Sequence, residues 1–352
     1  MHDVARVAGV SIKTVSNVIN DYPYVRPATR ARVHAAIAAL DYRPNLSARG
    51  LRSGRTGVIG LAIPELRQSY FAELADAVIR AADRRNVEVL VDQTSATREG
   101  EIAVLSGHRL RLTDGLLFSP EQLGQDDVAV LQVPFPLVLL GERIFDGPTD
   151  HVTMHNVGAA RAATEHLLEI GRRRIAVIGA HPTHQDDIRS ANLRVRGYRE
   201  ALAAAHVPYD PALVRVAAPW HRENGAAAMR DLLADRVEFD AVFTLNDTLG
   251  LGALRVLGQA GVRVPEDVAV IGFDNIDEAR FSVPSMSSVD PGRDQIAEVA
   301  VDLLIERINE KGDKAPPRRV LADFKVAARE STGFLDPEPT LASAVSPSAL
   351  AD

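Results

Sequence analysis

The sequence predicts a small all-α domain at the N-terminus and, behind it, a large α/β body of two doubly wound parallel-sheet lobes. Three observations carry this. The first twenty residues hold two short apolar stripes at helical spacing, separated by Gly9. From residue 57 onward, apolar strand-like runs alternate with amphipathic helices, the pattern of parallel sheets wrapped by helices. That alternation continues for about 275 residues, more than one sheet usually holds, so two similar lobes with a cleft between them are expected.

Composition narrows the chemistry. The 352-residue chain has no cysteine, which excludes disulfides, thiolate metal sites and cysteine nucleophiles. Asp3 and Arg6 interrupt any apolar run at the start, so no export signal is expected. No stretch approaches the ~18 apolar residues of a membrane span. The expected location is the cytoplasm, with no membrane partner. Charge is unevenly placed: residues 1–56 carry nine Lys/Arg against three Asp/Glu, although the whole chain stands at −7. A basic head on an acidic body points to an anionic partner for the head alone. With four lysines and 36 arginines in the chain, no single arginine is diagnostic.

Val4, Ala5, Val7 and Ala8 set an apolar stripe on a first helix. Gly9 ends it, since a tight turn needs a residue free to adopt positive φ. Ser11 is the candidate N-cap of a second helix. That helix buries Val15, Val18 and Ile19 and shows Ile12, Lys13, Ser16, Asn17 and Asn20 on its opposite face. By pattern alone this fits a helix-turn-helix and, equally, a helical hairpin with a solvated face. The loop DYPYV follows. RPATRARVHAAIAALDY is a third helix, with Pro27 in its first turn and Val33, Ile37 and Leu40 facing a small core. At residues 43–56 Pro44 breaks that helix, and Leu46, Ala48 and Leu51 lie among Arg49, Arg52 and Arg55. So short a segment is marginal as a free helix. On its residues alone it reads as a flexible basic linker rather than a hinge that becomes helical on DNA.

In the body, strands are expected at 58–64, 87–93, 114–120, 136–142, 151–156, 174–180, 214–219, 240–247 and 267–275, with one extended piece near 320–328. Helices are expected from Tyr70 to about Arg85, near 98–111, and at 157–171, 194–205, 223–235, 248–261 and 291–311. The tail 335–352 has Pro, Ser and Ala without period and reads as disordered, with no leucine heptads for oligomerisation. His108, His166, His181 and His184 show no metal-ligand spacing. The Gly-Leu-Gly at 250–252 lacks the third glycine of a dinucleotide loop.

The segments AGVSIKTVSNVIN, TRARVHAAIAALDYRPN, ARGLRSGRT, SYFAEL, DGLLFSP, HLLEIGRRRIAVIG, RVRGYREAL, NDTLGLGALRVLGQAG, VPEDVAVIGFDN and a terminal RESTG follow one another from residue 2 to about 334. In this order and spacing they resemble the lactose-repressor (LacI/GalR) family of bacterial transcriptional regulators. The resemblance implies a helix-turn-helix DNA-binding domain at 1–44 and a hinge helix at 45–56. It further implies a periplasmic-binding-protein-like, two-lobed effector-binding and dimerisation domain at 57–334. It thereby reverses the linker reading of 45–54.

For DNA, the resemblance implies base readout in the major groove by Ile12, Lys13 and Asn17. Lys13 has the chemistry to meet guanine O6/N7, Asn17 adenine, and Ile12 a thymine methyl. Ser11, Thr14, Ser16, Asn20, Thr29, Tyr42 and Asn45 match phosphate-bonding positions, and Leu51 matches a minor-groove wedge. Two departures stand out. The chain opens at Met1-His2-Asp3, a few residues short of the family's usual start, so further residues are expected upstream. Arg26 stands where many members have a Ser or Thr cap, which weakens the third helix's start or substitutes a phosphate contact.

For the effector, the resemblance implies Tyr70, Phe71, Arg194, Trp220, Asn246 and Asp274, with Asp92, Gln93 and Arg143 as weaker candidates on neighbouring strand ends. Ends of parallel strands are where open α/β sheets bind ligands. Arginine, aspartate and an amide together grip a polyol, while Trp220 and Tyr70 offer flat faces to a sugar ring. Taken singly, Trp220 reads as an ordinary core or surface aromatic, Asp274 and Asn246 as helix caps, and Arg194 as a surface charge.

The expected function is a ligand-responsive repressor of a carbohydrate-utilisation operon, binding a palindromic operator as a homodimer. Its expected effector is a sugar or sugar derivative, with no other cofactor and no metal. No nucleophile elbow or P-loop is present, so no enzymatic activity is expected. A nucleobase- or nucleoside-responsive regulator, and a solute-binding protein without DNA function, are the alternatives.

Overall fold

The computed structural model describes residues 1–19, 22–42, 55–107, 111–182, 189–312 and 315–334. Asn20, the hinge through residue 54 with Asn45 and Leu51, His108, His184 and the tail 335–352 lie outside the described residues.

The head holds three helices: α1 (His2–Ala8), α2 (Ile12–Ile19) and α3 (Pro27–Ala39). Gly9 closes α1 in the left-handed region at φ 61°, the conformation that favours glycine. The Ser11 hydroxyl accepts from the Thr14 N–H at 3.1 Å, capping α2. Val4, Ala5, Ala8, Val15, Val18, Val33 and Ala36 form the core, with Ile19 and Ile37 partly buried against it. Two expected core residues are not in it. Val7 is 53% exposed, because Val4, Ala5 and Ala8 define the buried face of α1 and Val7 falls on its flank. Leu40 is 41% exposed, since it sits just past the last turn of α3. Arg26 precedes α3 without a side-chain cap bond.

The body holds two six-stranded sheets. The first lobe runs β1 (Val58–Ile63), α4 (Ser69–Asp83), β2 (Glu88–Gln93), α5 (Arg98–Ser106), β3 (Leu116–Phe118), β4 (Leu137–Leu140) and β5 (Asp150–Thr153). The chain then crosses to the second lobe. That lobe runs α6 (Asn156–Glu169), β6 (Ile175–Ala180), α7 (Ser190–Ala204), β7 (Val214–Val216), α8 (Arg222–Ala234), β8 (Ala241–Thr244), α9 (Asp247–Gln259), β9 (Ala269–Phe273), α10 (Asp277–Arg280) and β10 (Ser287–Asp290). Helix α11 (Arg293–Asn309) returns to the first lobe, where β11 (Arg319–Leu321) joins the first sheet, and β12 (Lys325–Ala327) crosses back to the second.

The strand orders are β11-β5-β4-β3-β1-β2 and β12-β10-β9-β8-β6-β7. Apart from the added last strand, both follow the 2-1-3-4-5 order of a doubly wound sheet. Every described pairing is parallel except β10 with β12. A parallel sheet covered on both faces is apolar throughout, and the runs VIGLAI and IAVIGA are accordingly almost fully buried. One apolar cluster spans both lobes beneath α4, α6, α7 and α11. Helices α8 and α9 cover the far face of the second sheet. Leu105 of α5 and Leu131 of a 3₁₀ turn at Gln125–Leu131 cover the far face of the first. The Gly-Leu-Gly at 250–252 serves the α8–α9 crossing. A Cβ on Gly252 would meet the Arg222 carbonyl oxygen at 2.0 Å, and one on Gly225 the Leu249 carbonyl oxygen at 2.2 Å.

Four elements differ from the sequence expectation. Strand β10 and helix α10 were not anticipated. The extended piece near 320–328 is two strands, one in each sheet. The helix expected to reach 111 stops at Ser106, where Gly107 takes an extended conformation.

Candidate functional site

A cavity of about 480 Å³ lies between the lobes. Its walls are the segments that follow the C-terminal ends of the strands: Glu65 after β1, Ser119–Glu121 after β3, Glu142 after β4, His181 after β6, Asn246 after β8 and Asp274 after β9. Within each lobe the first and third strands are neighbours whose connections leave on opposite faces, and the crevice at such a switch point is where open α/β sheets take ligands.

Arg194, on α7, is 2% exposed. Its Nε donates to Asn156 Oδ1 at 2.7 Å, its Nη1 to the Leu245 carbonyl, and its Nη2 contacts Met154 Sδ at 3.4 Å. The guanidinium lies 3.6 Å over the Phe273 ring and 5.3 Å from that of Trp220. A planar cation held this way is a fixed fork aimed at the cavity. Asp274 Oδ1 stands 3.6 Å from Arg194 Nη1, an ion pair too long for a hydrogen bond. Burial pushes the Asp274 carboxyl up to about 7, against the opposing fields of Arg194 and Arg293. Its acceptor oxygens remain available to a ligand's hydroxyls.

The other walls complete the arrangement. Trp220 Nε1 donates to the Gly179 carbonyl at 2.9 Å, which fixes the indole at the cavity wall. Tyr70 and Phe71 open α4 with their rings edge to face at 5.2 Å. Burial raises the Tyr70 hydroxyl above its usual range, so it stays a neutral donor. Asn246 caps α9, its Oδ1 accepting from the Leu249 N–H at 2.9 Å, and it also lines the cavity. Side chains meet across the mouth: His221 Nε2 lies 3.1 Å from Glu65 Oε2, and the Ser69 hydroxyl donates to Glu278 at 2.6 Å.

The structure thus brings Tyr70, Phe71, Arg143, Arg194, Trp220, Asn246 and Asp274 to one cavity. Asp92 and Gln93 line a separate crevice of about 350 Å³ between β2 and α5. Glu121, Glu142 and Ser190 line the cavity and escaped the sequence reading, as did Asn156 beside them. Glu142 accepts from Asn156 Nδ2 and from the Ser190 hydroxyl, both at 2.7 Å, so Asn156 joins Glu142 to Arg194. Glu121 faces the same space. The available signal was position: Ser-Pro-Glu and Gly-Glu each follow a strand. Among the described residues, no group of His, Asp and Glu is placed to hold a metal, and no helix is long and apolar enough to cross a membrane.

In the head, Lys13 is exposed and Asn17 and Ser16 half-buried on α2, opposite buried Val15 and Val18. Ile12 is half-buried and packs partly against the core. The Ser11 and Thr14 hydroxyls bond each other at 2.9 Å. Thr29 and Tyr42 are half-buried, Tyr42 against the core.

Comparison with known proteins bears on both parts. Residues 1–45 match the family described as bacterial regulatory proteins, lacI family, and residues 164–332 match the periplasmic binding protein-like domain. The ribose operon repressor of Escherichia coli (strain K12) is 34% identical over 312 residues, 88% of this chain and 93% of its own. The solved transcriptional regulator CelR–cellobiose complex is 34% identical at a TM-score of 0.69, over 94% of this chain and 98% of that one. The lac repressor dimer bound to operator and the anti-inducer ONPF is 25% identical at a TM-score of 0.78, again over 94% and 98%. A head whose α2 turns Lys13, Ser16 and Asn17 away from its buried face, a two-lobed body closing on a cavity, and relatives matched nearly end to end give one conclusion: the chain belongs to the lacI family of bacterial regulatory proteins.

Proposed function

We propose that this ligand-responsive, DNA-binding repressor controls a carbohydrate-utilisation operon and takes a carbohydrate in the cleft between its lobes. The observation that carries the effector assignment is Asp274, a buried carboxylate with no hydrogen-bond donor on its oxygens among the described residues, beside a fixed guanidinium and an indole wall. Sugar hydroxyls donate to such a carboxylate, and sugar C–H faces stack on Trp220. The CelR relative was solved with cellobiose, which supports the same class of ligand.

Residues 1–44 read the operator, with Ile12, Lys13 and Asn17 at base edges and Ser11, Thr14, Ser16, Asn20, Thr29 and Tyr42 on phosphates, joined there by Asn45 at the start of the hinge. Residues 45–56 form the hinge, with Leu51 in the minor groove. Residues 57–334 bind effector and pair with a second copy. Phe281 is 73% exposed and Val283 96% exposed beside α10, apolar surface that a second copy would cover. The protein acts in the cytoplasm as a binder, not as an enzyme. A mobility-shift titration with a palindromic duplex selected from a random pool tests the DNA half of this proposal. Binding at least ~10³-fold tighter than to unselected duplex, weakening steeply with salt, is expected; equal affinity for both duplexes rejects it.

A further inference from the structure

Arg194, Asp274 and Trp220 account for part of the cleft's lining, and the loop after β3 lines another part of it. We propose that Glu121 on this loop is an effector-specificity residue, and that the effector is an uncharged saccharide of at least two sugar units, one against Asp274 and one against Glu121. This rests on the carbohydrate reading of the cleft.

The loop is built to hold Glu121 in place. Glu101 of α5 is fully buried, and its carboxylate accepts the backbone N–H groups of Glu121, Gln122 and Leu123 at 2.6, 2.9 and 2.7 Å. Three charge-assisted bonds from consecutive amides fix the loop's path. Leu123, fully buried, anchors it from below. The Glu121 side chain itself has no hydrogen-bond or ion-pair partner among the described residues, although it lines the cavity. Burial, together with the fields of Glu101, Glu65 and Glu142, pushes its carboxyl up to about 7, while Arg189 opposes them. Glu121 is half-buried, and a carboxylate partly withdrawn from water without a partner is costly, which a ligand hydroxyl relieves.

Size and charge set the ligand class. At the roughly 0.75 packing density of a filled interior, about 480 Å³ admits on the order of 350 Å³ of ligand. One pyranose fills about half of that, and two linked units fill it. Glu142 also lines the cavity, and its field reaches both Asp274 and Glu121. The cavity is lined by Glu65, Glu121, Glu142 and Asp274 against Arg143, Arg189 and Arg194, a lining with no cationic excess to hold a phosphate.

The test is calorimetric titration of the full chain with glucose, galactose, xylose and glucose 6-phosphate, and with cellobiose, lactose, maltose, trehalose and xylobiose. At least one disaccharide binds about tenfold or more tightly than its component sugars, and glucose 6-phosphate binds no better than glucose. Glu121→Ala loses about tenfold or more for that disaccharide while monosaccharide affinity holds, and Glu121→Gln restores most of the loss. A monosaccharide binding as tightly as every disaccharide, a preference for the phosphate, or equal losses for both sugar sizes in Glu121→Ala overturns the inference and leaves the carbohydrate reading standing. Silence from every saccharide overturns both.

Discussion

Asp274 concentrates the site's constraints on one residue. Its φ of 109° is a conformation L-residues rarely adopt, and Asn275 follows at 50°. The surroundings hold it there. The Asp274 N–H donates to the Val289 carbonyl at 2.9 Å, and Arg293 Nη1 donates to the Asp274 carbonyl at 3.1 Å. The Asn275 N–H donates to the Ser288 hydroxyl, which in turn donates to the buried carboxylate of Asp247. Arg329, the first residue of the RESTG segment, donates to Asn275 Oδ1 and to the Met286 carbonyl. So the motif near the C-terminus frames the turn that presents Asp274.

The raised Asp274 carboxyl makes a pH prediction. The empty folded protein holds a proton there up to about 7, whereas the unfolded chain releases it near 4. The stability this confers is complete below about pH 4 and is lost as pH climbs through about 7. Effector hydroxyls donate to the ionised form, so binding expels the proton. Effector affinity therefore rises between pH 6 and pH 8, with Glu121 acting in the same sense. Asp274→Asn binds weakly and loses most of the rise. Titration calorimetry in two buffers of different ionisation enthalpy reads the proton release directly; affinity that is flat or falling over that window contradicts the assignment.

At the scale of elements, the crossing of α8 and α9 sets how closely the second lobe packs. Gly225→Ala places a methyl 2.2 Å from the Leu249 carbonyl oxygen, backbone that cannot rotate aside. The helices must separate, at a cost of about 1–3 kcal/mol by the usual scale of overpacking. A denaturant midpoint unchanged in Gly225→Ala would show that the crossing is looser than described. Most of these elements were legible because buried parallel strands are apolar runs and their helices carry stripes. Strand β10 was not, since Ser287-Ser288-Val289-Asp290 is polar. Its serines are buried because Asp247, Ser331 and Thr332 bond them, partners more than forty residues away in sequence. Likewise, 320–328 showed one extended run, and nothing local marks Ala322–Phe324 as the crossing between sheets. Val7 and Leu40 were misplaced at helix edges, where periodicity is weakest.

For the whole molecule, each lobe repeats one strand order, and the two switch points open onto one cavity. This explains which site residues were legible. Arg194, Asn246 and Asp274 sit in segments that resemble the family's, while Glu142 and Asn156, from different lobes, meet only once the lobes face each other. Asp92 and Gln93 were placed with the site because they end a strand, but β2 is an edge strand and they line a different crevice. The connections between lobes run through the segments after β5, β10 and β11, and a ligand that bridges the lobes biases their relative position. Operator affinity changes only as far as the ligand prefers one arrangement over the other.

The most direct measurement is the affinity of the selected operator duplex with and without a saturating concentration of the tightest-binding disaccharide. The account predicts a change of about 5- to 150-fold, the usual range of coupling between two sites, abolished in Asp274→Asn while that variant's ligand-free operator affinity is preserved. The same operator affinity at zero and saturating saccharide would contradict it.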